Sequence, residues 1–235
     1  MRKYDFITIG GATEDITFYT HEGKMIANRK DILRQKLLAF EYGTKIKIDH
    51  SNSTFGGGAA NAAVCFSRLG FKAATLVAVG DDERGGKITA NLKKEKVDTN
   101  LVEKIKGGES GYSFILTGSD NEHIVFSNRG ANSQLTVNSH SAKGGSASGG
   151  QLSILDNTKW IYLTSLSGNW EEVLKKVFSV KKIPLTPFNK GGIKIAWNPG
   201  HIQLKGGVKI LGKYLKKTEV LIVNKDEAIE LVVSD

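Results

Sequence analysis

The sequence has little cysteine and proline and no long apolar run. It carries one cysteine, Cys65, and three prolines in 235 residues. One cysteine excludes an internal disulfide framework, and its place in an alanine-rich helical stretch predicts a buried, inert thiol. No apolar run reaches the length of about 20 residues that a membrane span needs, and the first residues lack the apolar stretch of a signal peptide. These absences predict a cytoplasmic protein with no membrane partner.

Acidic residues are outnumbered by basic ones, with 24 Asp and Glu against 33 Lys and Arg and a net charge of +9. Proteins that bind nucleic acid concentrate positive charge on one face, often beside aromatic residues or within a known motif. Here the lysines occur as scattered pairs such as Lys93-Lys94 and Lys216-Lys217, which is typical of solvated helix faces. The sequence therefore predicts no nucleic-acid partner, although its positive field would attract an anionic ligand.

Strand and helix patterns alternate along most of the chain. Apolar strands are predicted at 4–9, 74–79 and 160–163, and helical spacing is present at 170–180 and 208–215. This alternation favours an α/β fold in which helices cover both faces of a parallel sheet. A chain of this length can bury a sizeable core as one domain.

The segment before residue 55 interrupts that alternation. Apolar residues at helical spacing predict a helix over 31–42, and alternating charged and apolar residues predict a strand over 45–48. Further along, 139–150 is rich in serine and glycine and has no apolar anchor, which predicts a flexible loop.

The most informative stretch is a run of three glycines followed by small residues. Gly56, Gly57 and Gly58 open it, Asn61 lies one turn into the predicted helix, and Gly70 ends that helix. Glycines allow a ligand to lie against bare backbone. Unpaired N–H groups at the helix start would suit an anionic or hydroxyl-rich ligand, and the Asn61 amide can both donate and accept.

This stretch resembles the first signature of the ribokinase-like, or PfkB-type, sugar and nucleoside kinases. The family pattern requires a glycine pair, a small residue, any residue, Asn, any residue, a small residue, then glycines after six and nine further residues. It is met without gaps by Gly57, Gly58, Ala59, Asn61, Ala63, Gly70 and Gly80. The resemblance implies a three-layer α/β sandwich with a mostly parallel central sheet plus a small β lid. It implies one domain over 1–235, with the lid built from about 16–55 and 111–127.

The resemblance also implies roles for residues outside the glycine stretch. Asp15 matches the family Asp that holds substrate hydroxyls, and a carboxylate suits that task because it accepts from two hydroxyls at once. Thr13 stands where the members nearest to ribokinase carry Asn, so the resemblance does not single out ribose. Arg129-Gly130-Ala131-Asn132 is similar to a family segment at the mouth of the site. It implies a substrate contact for Asn132, and Arg129 would meet a phosphate or carboxylate.

A second family motif is similar to Asn224-Lys225-Asp226-Glu227. In the family, Asn and Glu at these places orient Mg²⁺ and the phosphates of ATP, partly through water, which implies a water-mediated metal contact for Glu227. Mg²⁺ keeps several waters and needs few protein ligands. The same four residues also fit a helix capping box, with Asn224 as cap and Glu227 as its partner. The two interpretations are compatible. By the same logic, the acids of the Gly80–Gly85 run are interpreted as caps of the next helix rather than as catalytic groups.

The family's later Gly-x-Gly-Asp signature, which supplies the catalytic base and anion-binding amides, has no counterpart in this sequence. The expectation is therefore a C-terminally incomplete kinase with no catalytic Asp, whose parent chemistry moves the ATP γ-phosphate to an alcohol. Turnover should be impaired, because phosphoryl transfer depends on positioning and charge stabilisation.

The sequence leaves several alternative functions to be weighed. A non-catalytic sugar- or nucleoside-binding protein on a kinase-derived scaffold fits the same motifs. A Rossmann dinucleotide site lacks the third glycine and a well-placed acidic residue, and a P-loop lacks Gly-Lys-Ser/Thr. The substrate stays open among ribose, fructose or its phosphate, 2-keto-3-deoxy sugar acids and nucleosides. The oligomeric state also stays open, and a homodimer through exposed lid strands is one state that the resemblance allows.

Overall fold

The computed structural model describes residues 3–29, 36–118, 122–137, 151–180 and 192–233. The strands are β1 (Tyr4–Ile9), β2 (Thr13–Tyr19), β3 (Lys24–Ala27), β4 (Lys36–Ala39), β5 (His50–Gly56), β6 (Ala73–Leu76), β7 (Ala78–Gly80), β8 (Glu103–Ile105), β9 (Tyr112–Thr117), β10 (His123–Asn128), β11 (Thr158–Leu163), β12 (Lys194–Trp197) and β13 (Val220–Leu221). The helices are α1 (Gly58–Arg68), α2 (Glu83–Lys94), α3 (Gln151–Leu155), α4 (Trp170–Val177), α5 (His201–Leu204), α6 (Gly207–Leu215) and α7 (Lys225–Val233), with a 3₁₀ turn at Gly130–Gln134.

A five-stranded parallel sheet in the order β13-β12-β11-β1-β6 forms the centre of the first of two compact units. This unit comprises Met1–Glu14, Phe55–Gly111 and Arg129–Asp235. Side chains alternate between the faces of a strand, so Ile7 and Ile161, which are paired in register, share one face. Both belong to the main core cluster, which also contains buried residues of α4, α6 and α7.

The opposite face of the sheet is covered by α1. The Thr8 hydroxyl donates to the Thr75 hydroxyl at 2.8 Å and lies 2.9 Å from the carbonyl oxygen of Ala59 in α1. A second core cluster joins Ala59 and Ala63 of α1 to Ile88 of α2. Helices therefore lie on both faces of a parallel sheet, which confirms the predicted α/β layering.

The second unit comprises Asp15–Thr54 and Tyr112–Asn128. It contains a four-stranded sheet in the order β10-β9-β2-β5 and an antiparallel pair of β3 with β4. That this unit acts as a lid stays a prediction.

Two predictions in the second unit are wrong. Residues 36–39 form strand β4, whose Leu38 pairs with Met25 of β3, so the helix predicted over 31–42 is absent from its described part, 36–42. Leu37 and Leu38 fit either pattern, and cross-strand pairing overrides local spacing. Residues 45–48 form no strand, and the strand of this region is β5. The first five residues of the predicted helix and the loop predicted at 139–150 lie outside the described residues.

The prediction for Cys65 is also wrong, because its thiol is exposed. Ala59 and Ala63 occupy the buried face of α1, whereas Asn61 is exposed. Cys65 lies one turn after Asn61, on the same helix face.

No helix in the described part of the chain is long and apolar enough to span a bilayer.

Candidate functional site

The carboxyl ends of three of the parallel strands in the first unit lead into polar or glycine-containing segments. β1 is followed by Gly10 and Gly11, β11 by Thr164, and β12 by Asn198. Ligands of open α/β sheets bind outside this edge. The glycine stretch predicted from the sequence enters α1 at the same edge, against the loop that follows β1.

Gly57 must be glycine for two independent reasons. Its φ is 92°, which side-chain-bearing residues rarely adopt, and a Cβ there would lie 2.4 Å from the Gly11 carbonyl oxygen and 2.6 Å from the Ala12 Cα. Gly58 is also confined, since a Cβ would lie 3.0 Å from the Thr164 side chain. The chain thus packs backbone against backbone where it enters α1.

The amides at the start of α1 are less available than the sequence suggests. The Gly11 carbonyl accepts hydrogen bonds from the N–H groups of Ala59 at 3.2 Å and Ala60 at 3.3 Å. The expectation of unpaired N–H groups at this helix start is therefore wrong for these two residues. The Gly57 and Gly58 amides are the ones to which no described residue offers an acceptor.

Asn61 keeps its side chain available. Its backbone N–H donates to the Gly57 carbonyl at 2.9 Å, which places it one turn into α1 as the spacing predicts. The residue is exposed, and no described residue bonds its side-chain amide. An amide in this state can donate to one ligand oxygen and accept from another.

Asn132 is buried, with 5% of the residue exposed, and its amide is engaged by the protein. Its Oδ1 accepts from the Ala12 N–H at 3.0 Å, and its Nδ2 donates to the Ala12 carbonyl at 2.9 Å. The side chain thus pairs with Ala12 as a neighbouring strand would. This geometry does not support the substrate contact implied for Asn132, which stays a prediction, and it gives the residue a structural role instead. Arg129 is exposed.

Asp15 lies in β2, is half-buried, and belongs to the second unit. Its carbonyl oxygen lies 3.4 Å from the Thr54 hydroxyl within that unit. Its binding of substrate hydroxyls stays a prediction.

The start of α2 confirms that Asp82 is a helix cap. Its Oδ1 accepts from the Gly85 N–H at 2.7 Å and the Ser110 hydroxyl at 2.6 Å, and its Oδ2 accepts from the Ser110 N–H at 2.8 Å. Burial alone would raise the pKa of Asp82, but hydrogen bonds from Ser110 and Gly85 outweigh it and hold the pKa below its usual range.

The start of α7 forms the capping box that the sequence predicts. The Asn224 N–H donates to Glu227 Oε2 at 2.9 Å, and the Glu227 N–H donates to Asn224 Oδ1 at 2.8 Å. Glu227 Oε1 is left for a water of a hydrated cation, which fits a water-mediated Mg²⁺ contact. The described residues contain no group of three or more His, Cys, Asp or Glu that could hold a metal directly.

Within the first unit, the structure brings some of the predicted residues together. Gly57 packs on Gly11 and Ala12, and Asn132 clasps Ala12, so both meet the loop after β1. Asn224 and Glu227 form their own cluster at α7.

Sequence reasoning missed the Gly11 carbonyl and Thr164, which shape the start of α1 from loops far away in the chain. The paired glycines after β1 were the one signal for such close packing.

Known proteins share the sequence pattern and the fold of this chain. Residues 27–234 match the sequence pattern of the family described as pfkB family carbohydrate kinase. Mouse ribokinase is 34% identical over 89 residues, which cover 38% of this chain and 27% of that protein.

Two solved structures match nearly the whole chain. The Methanocaldococcus jannaschii nucleoside kinase, an archaeal member of the ribokinase family, superposes with a TM-score of 0.69 at 21% identity. The match covers 98% of this chain and 64% of that one. Arabidopsis thaliana ribokinase, complexed with ribose and ATP, gives a TM-score of 0.68 at 17% identity and covers 97% and 62%. The chain therefore spans less than two thirds of these kinases.

The parallel sheet, the helix layers and the glycine entry to α1 define the ribokinase-like fold. The chain belongs to the pfkB family of carbohydrate kinases.

Proposed function

We propose that this chain binds a sugar or nucleoside and carries part of the machinery that phosphorylates its hydroxyl with ATP. The observation that carries the proposal is the start of α1. There the bare backbone of Gly57 lies against the loop after β1, and the exposed Asn61 amide stands one turn away. Such an arrangement offers a polyhydroxylated ligand hydrogen-bonding groups with no side chain in its way.

In this proposal the acceptor is held by Asp15, Gly56, Gly57, Gly58 and Asn61. Asp15 accepts from two hydroxyls, and Asn61 donates to one ligand oxygen and accepts from another. Asn132 contributes by holding Ala12 in place.

The nucleotide part of the proposal rests on the start of α7. Glu227 would bind a water of the Mg²⁺ shell, and Asn224 would lie beside the phosphates of ATP. The Mg²⁺ would neutralise charge on the transferring phosphoryl group. The cytoplasm, which supplies ATP and keeps thiols such as Cys65 reduced, is the proposed location.

A second candidate is a sugar- or nucleoside-binding protein without turnover. It is favoured by one observation: Asn224 and Glu227, the residues assigned to the nucleotide, already bond each other's N–H groups in a helix cap, which needs no nucleotide.

Ligand binding and turnover separate the two candidates. Thermal unfolding of the chain is measured with D-ribose, D-fructose and inosine, and ATP consumption is followed with each. A rise in Tm with one of them supports acceptor binding, and turnover decides between kinase and binding protein. Asn61→Ala should abolish the shift, whereas Asn91→Ala, a matched change in helix α2, should keep it. The proposal is wrong if none of these compounds raises Tm.

We also propose that the second unit pairs two copies of the chain. β10 is an edge strand, and its Ile124, Val125 and Phe126 are 38%, 48% and 59% exposed. Exposed apolar edge strands tend to pair with another chain. Light scattering should give a dimer mass for the wild type and a monomer mass for Phe126→Lys. A monomeric wild type at high concentration would exclude this pairing.

A further inference from the structure

A buried ion pair holds the strand residue that precedes Asp15. Only 10% of the Glu14 side chain is exposed, and its Oε2 accepts a hydrogen bond from Arg84 Nε at 2.9 Å. Arg84 lies in the first turn of α2, and its Nη1 lies 3.8 Å from Glu109 Oε1. A carboxylate is tolerated at such a buried position when a cation and hydrogen bonds replace its lost hydration.

The backbone around Glu14 is fixed as well. Its N–H donates to the Gly111 carbonyl at 3.1 Å, and Asn132 clasps both peptide groups of Ala12 at 3.0 and 2.9 Å. Residues 12–14 are therefore tied to α2, to residue 111 and to the 3₁₀ turn. Successive side chains of a strand alternate in direction. A strand whose Glu14 is held by Arg84 thus has a set register for the residue that follows.

We propose that Arg84 is a positioning residue for the acceptor substrate, because through Glu14 it fixes the strand that presents Asp15. This inference rests on the proposed function, in which Asp15 accepts the substrate hydroxyls. A carboxylate that binds two hydroxyls at once must be placed to within about 0.5 Å. Arg84 does this through Glu14 and needs no substrate contact of its own.

The test compares two Arg→Met variants of the chain. Arg84→Met breaks the buried pair, whereas Arg68→Met breaks an even shorter pair, Arg68–Glu95, whose Nη2–Oε1 distance is 2.7 Å against 2.9 Å for Arg84–Glu14. Arg68 is at the end of α1, and its side chain is 69% exposed. Hydrogen exchange at the amides of residues 13–16 is measured without ligand. Affinity is then measured by calorimetry for D-ribose, D-fructose and inosine.

In Arg84→Met, exchange at residues 13–16 should accelerate about tenfold, and the Kd of the compound that the wild type binds should rise about tenfold to a hundredfold. Arg68→Met should leave both unchanged. Arg84→Lys should recover part of the affinity, because an ammonium keeps the charge but not the planar fork.

Arg84→Met removes the cation that faces the buried Glu14 carboxylate, so the double variant Glu14→Met/Arg84→Met guards against misfolding. Apolar replacement of both partners should keep Tm near that of the wild type, yet the ligand should still bind weakly. The inference is overturned if Arg84→Met exchanges at residues 13–16 as Arg68→Met does, or if the folded double variant binds with wild-type affinity. If the wild type binds none of the three compounds, the proposed function fails, and the exchange comparison still decides whether Arg84 orders the strand.

Discussion

The starts of α1 and α7 contain the two stretches that resemble family motifs, and they are built in opposite ways. At α7, Asn224 and Glu227 satisfy each other's N–H groups, so the helix start is complete within four residues. At α1, Gly57 offers no side-chain cap, and the Gly11 carbonyl accepts from Ala59 and Ala60 instead. The α7 start is completed by neighbouring residues, whereas the α1 start needs a carbonyl from the loop after β1 and so depends on the folded sheet.

The start of α2 lies between these two cases. Its cap, Asp82, is local, but Ser110 from a distant segment holds that cap in place. The comparison teaches that the stability of a locally capped helix start depends on its own hydrogen bonds. The stability of a helix start completed by the fold depends on steric fit. Four predictions test this comparison, from the largest expected loss of stability to the smallest.

The largest effect is expected for Gly57→Ala. The positive φ costs about 1–2 kcal/mol, and overlap with the backbone of Gly11 and Ala12 adds about 1–3 kcal/mol. The free energy of unfolding in urea should fall by about 3 kcal/mol in total. Gly86→Ala is the matched control, because a Cβ there meets open space within α2, and it should stabilise by about 0.5–1 kcal/mol. Equal effects of the two changes would contradict the steric argument.

The next largest effect is expected for Ser110→Ala, which should lower the free energy of unfolding by about 2 kcal/mol. The buried Gly80 N–H loses its acceptor, and the Asp82 carboxylate loses a donor. The hydrogen bonds from Ser110 help to depress the pKa of Asp82. Their stabilisation is therefore present above pH about 4 and is lost as the pH falls through the folded-state pKa.

Urea unfolding should accordingly show a gap between wild type and Ser110→Ala that is wide at pH 7 and narrower at pH 3. Ser179→Ala, which removes an exposed hydroxyl bound to the Lys176 carbonyl, should change stability by less than about 0.5 kcal/mol. A gap that stays constant with pH would show that Asp82 is not involved.

Asn224→Ala should cost about 1 kcal/mol, the usual loss for an N-cap. Asn169→Ala is the control, because Asn169 precedes α4 without capping it, and its loss should be smaller. Asn224→Ser should recover most of the stability. If ATP binds the wild type and binds Asn224→Ser equally well, Asn224 acts only as a cap.

The smallest structural effect is expected for Cys65→Ser, less than about 0.5 kcal/mol, because the thiol is exposed. A thiol reagent should modify Cys65 in the folded protein as completely as in urea. Protection of the thiol in the folded protein would restore the interpretation of a buried cysteine.

Sequence patterns sufficed where the physical cause is local. The glycine spacing from 57 to 80 predicts α1 and the turn at its end, and residues 224–227 predict their own capping box. The helix expected at 31–42 is absent from its described part, 36–42, because Leu37 and Leu38 suit two structures and pairing with β3 decides between them. Cys65 was expected to be buried because it lies in an alanine-rich helical stretch, whereas its position on the exposed face of α1 decides its exposure.

The rest of the site depends on partners far apart in the chain. Asn132 reaches Ala12 over 120 positions and Arg84 reaches Glu14 over 70. No local pattern marks either contact. A motif can indicate that Asn132 matters, but only the fold shows that it matters by holding a backbone.

The pairing of Ala12 with Asn132 also bears on how the protein folds. Contacts between distant positions carry a large loop-closure entropy and tend to form late. The chain must be synthesised through residue 132 before the loop after β1 gains its partner. The edge of the sheet that would receive a ligand therefore depends on the closure of a long loop, which tends to come late in folding.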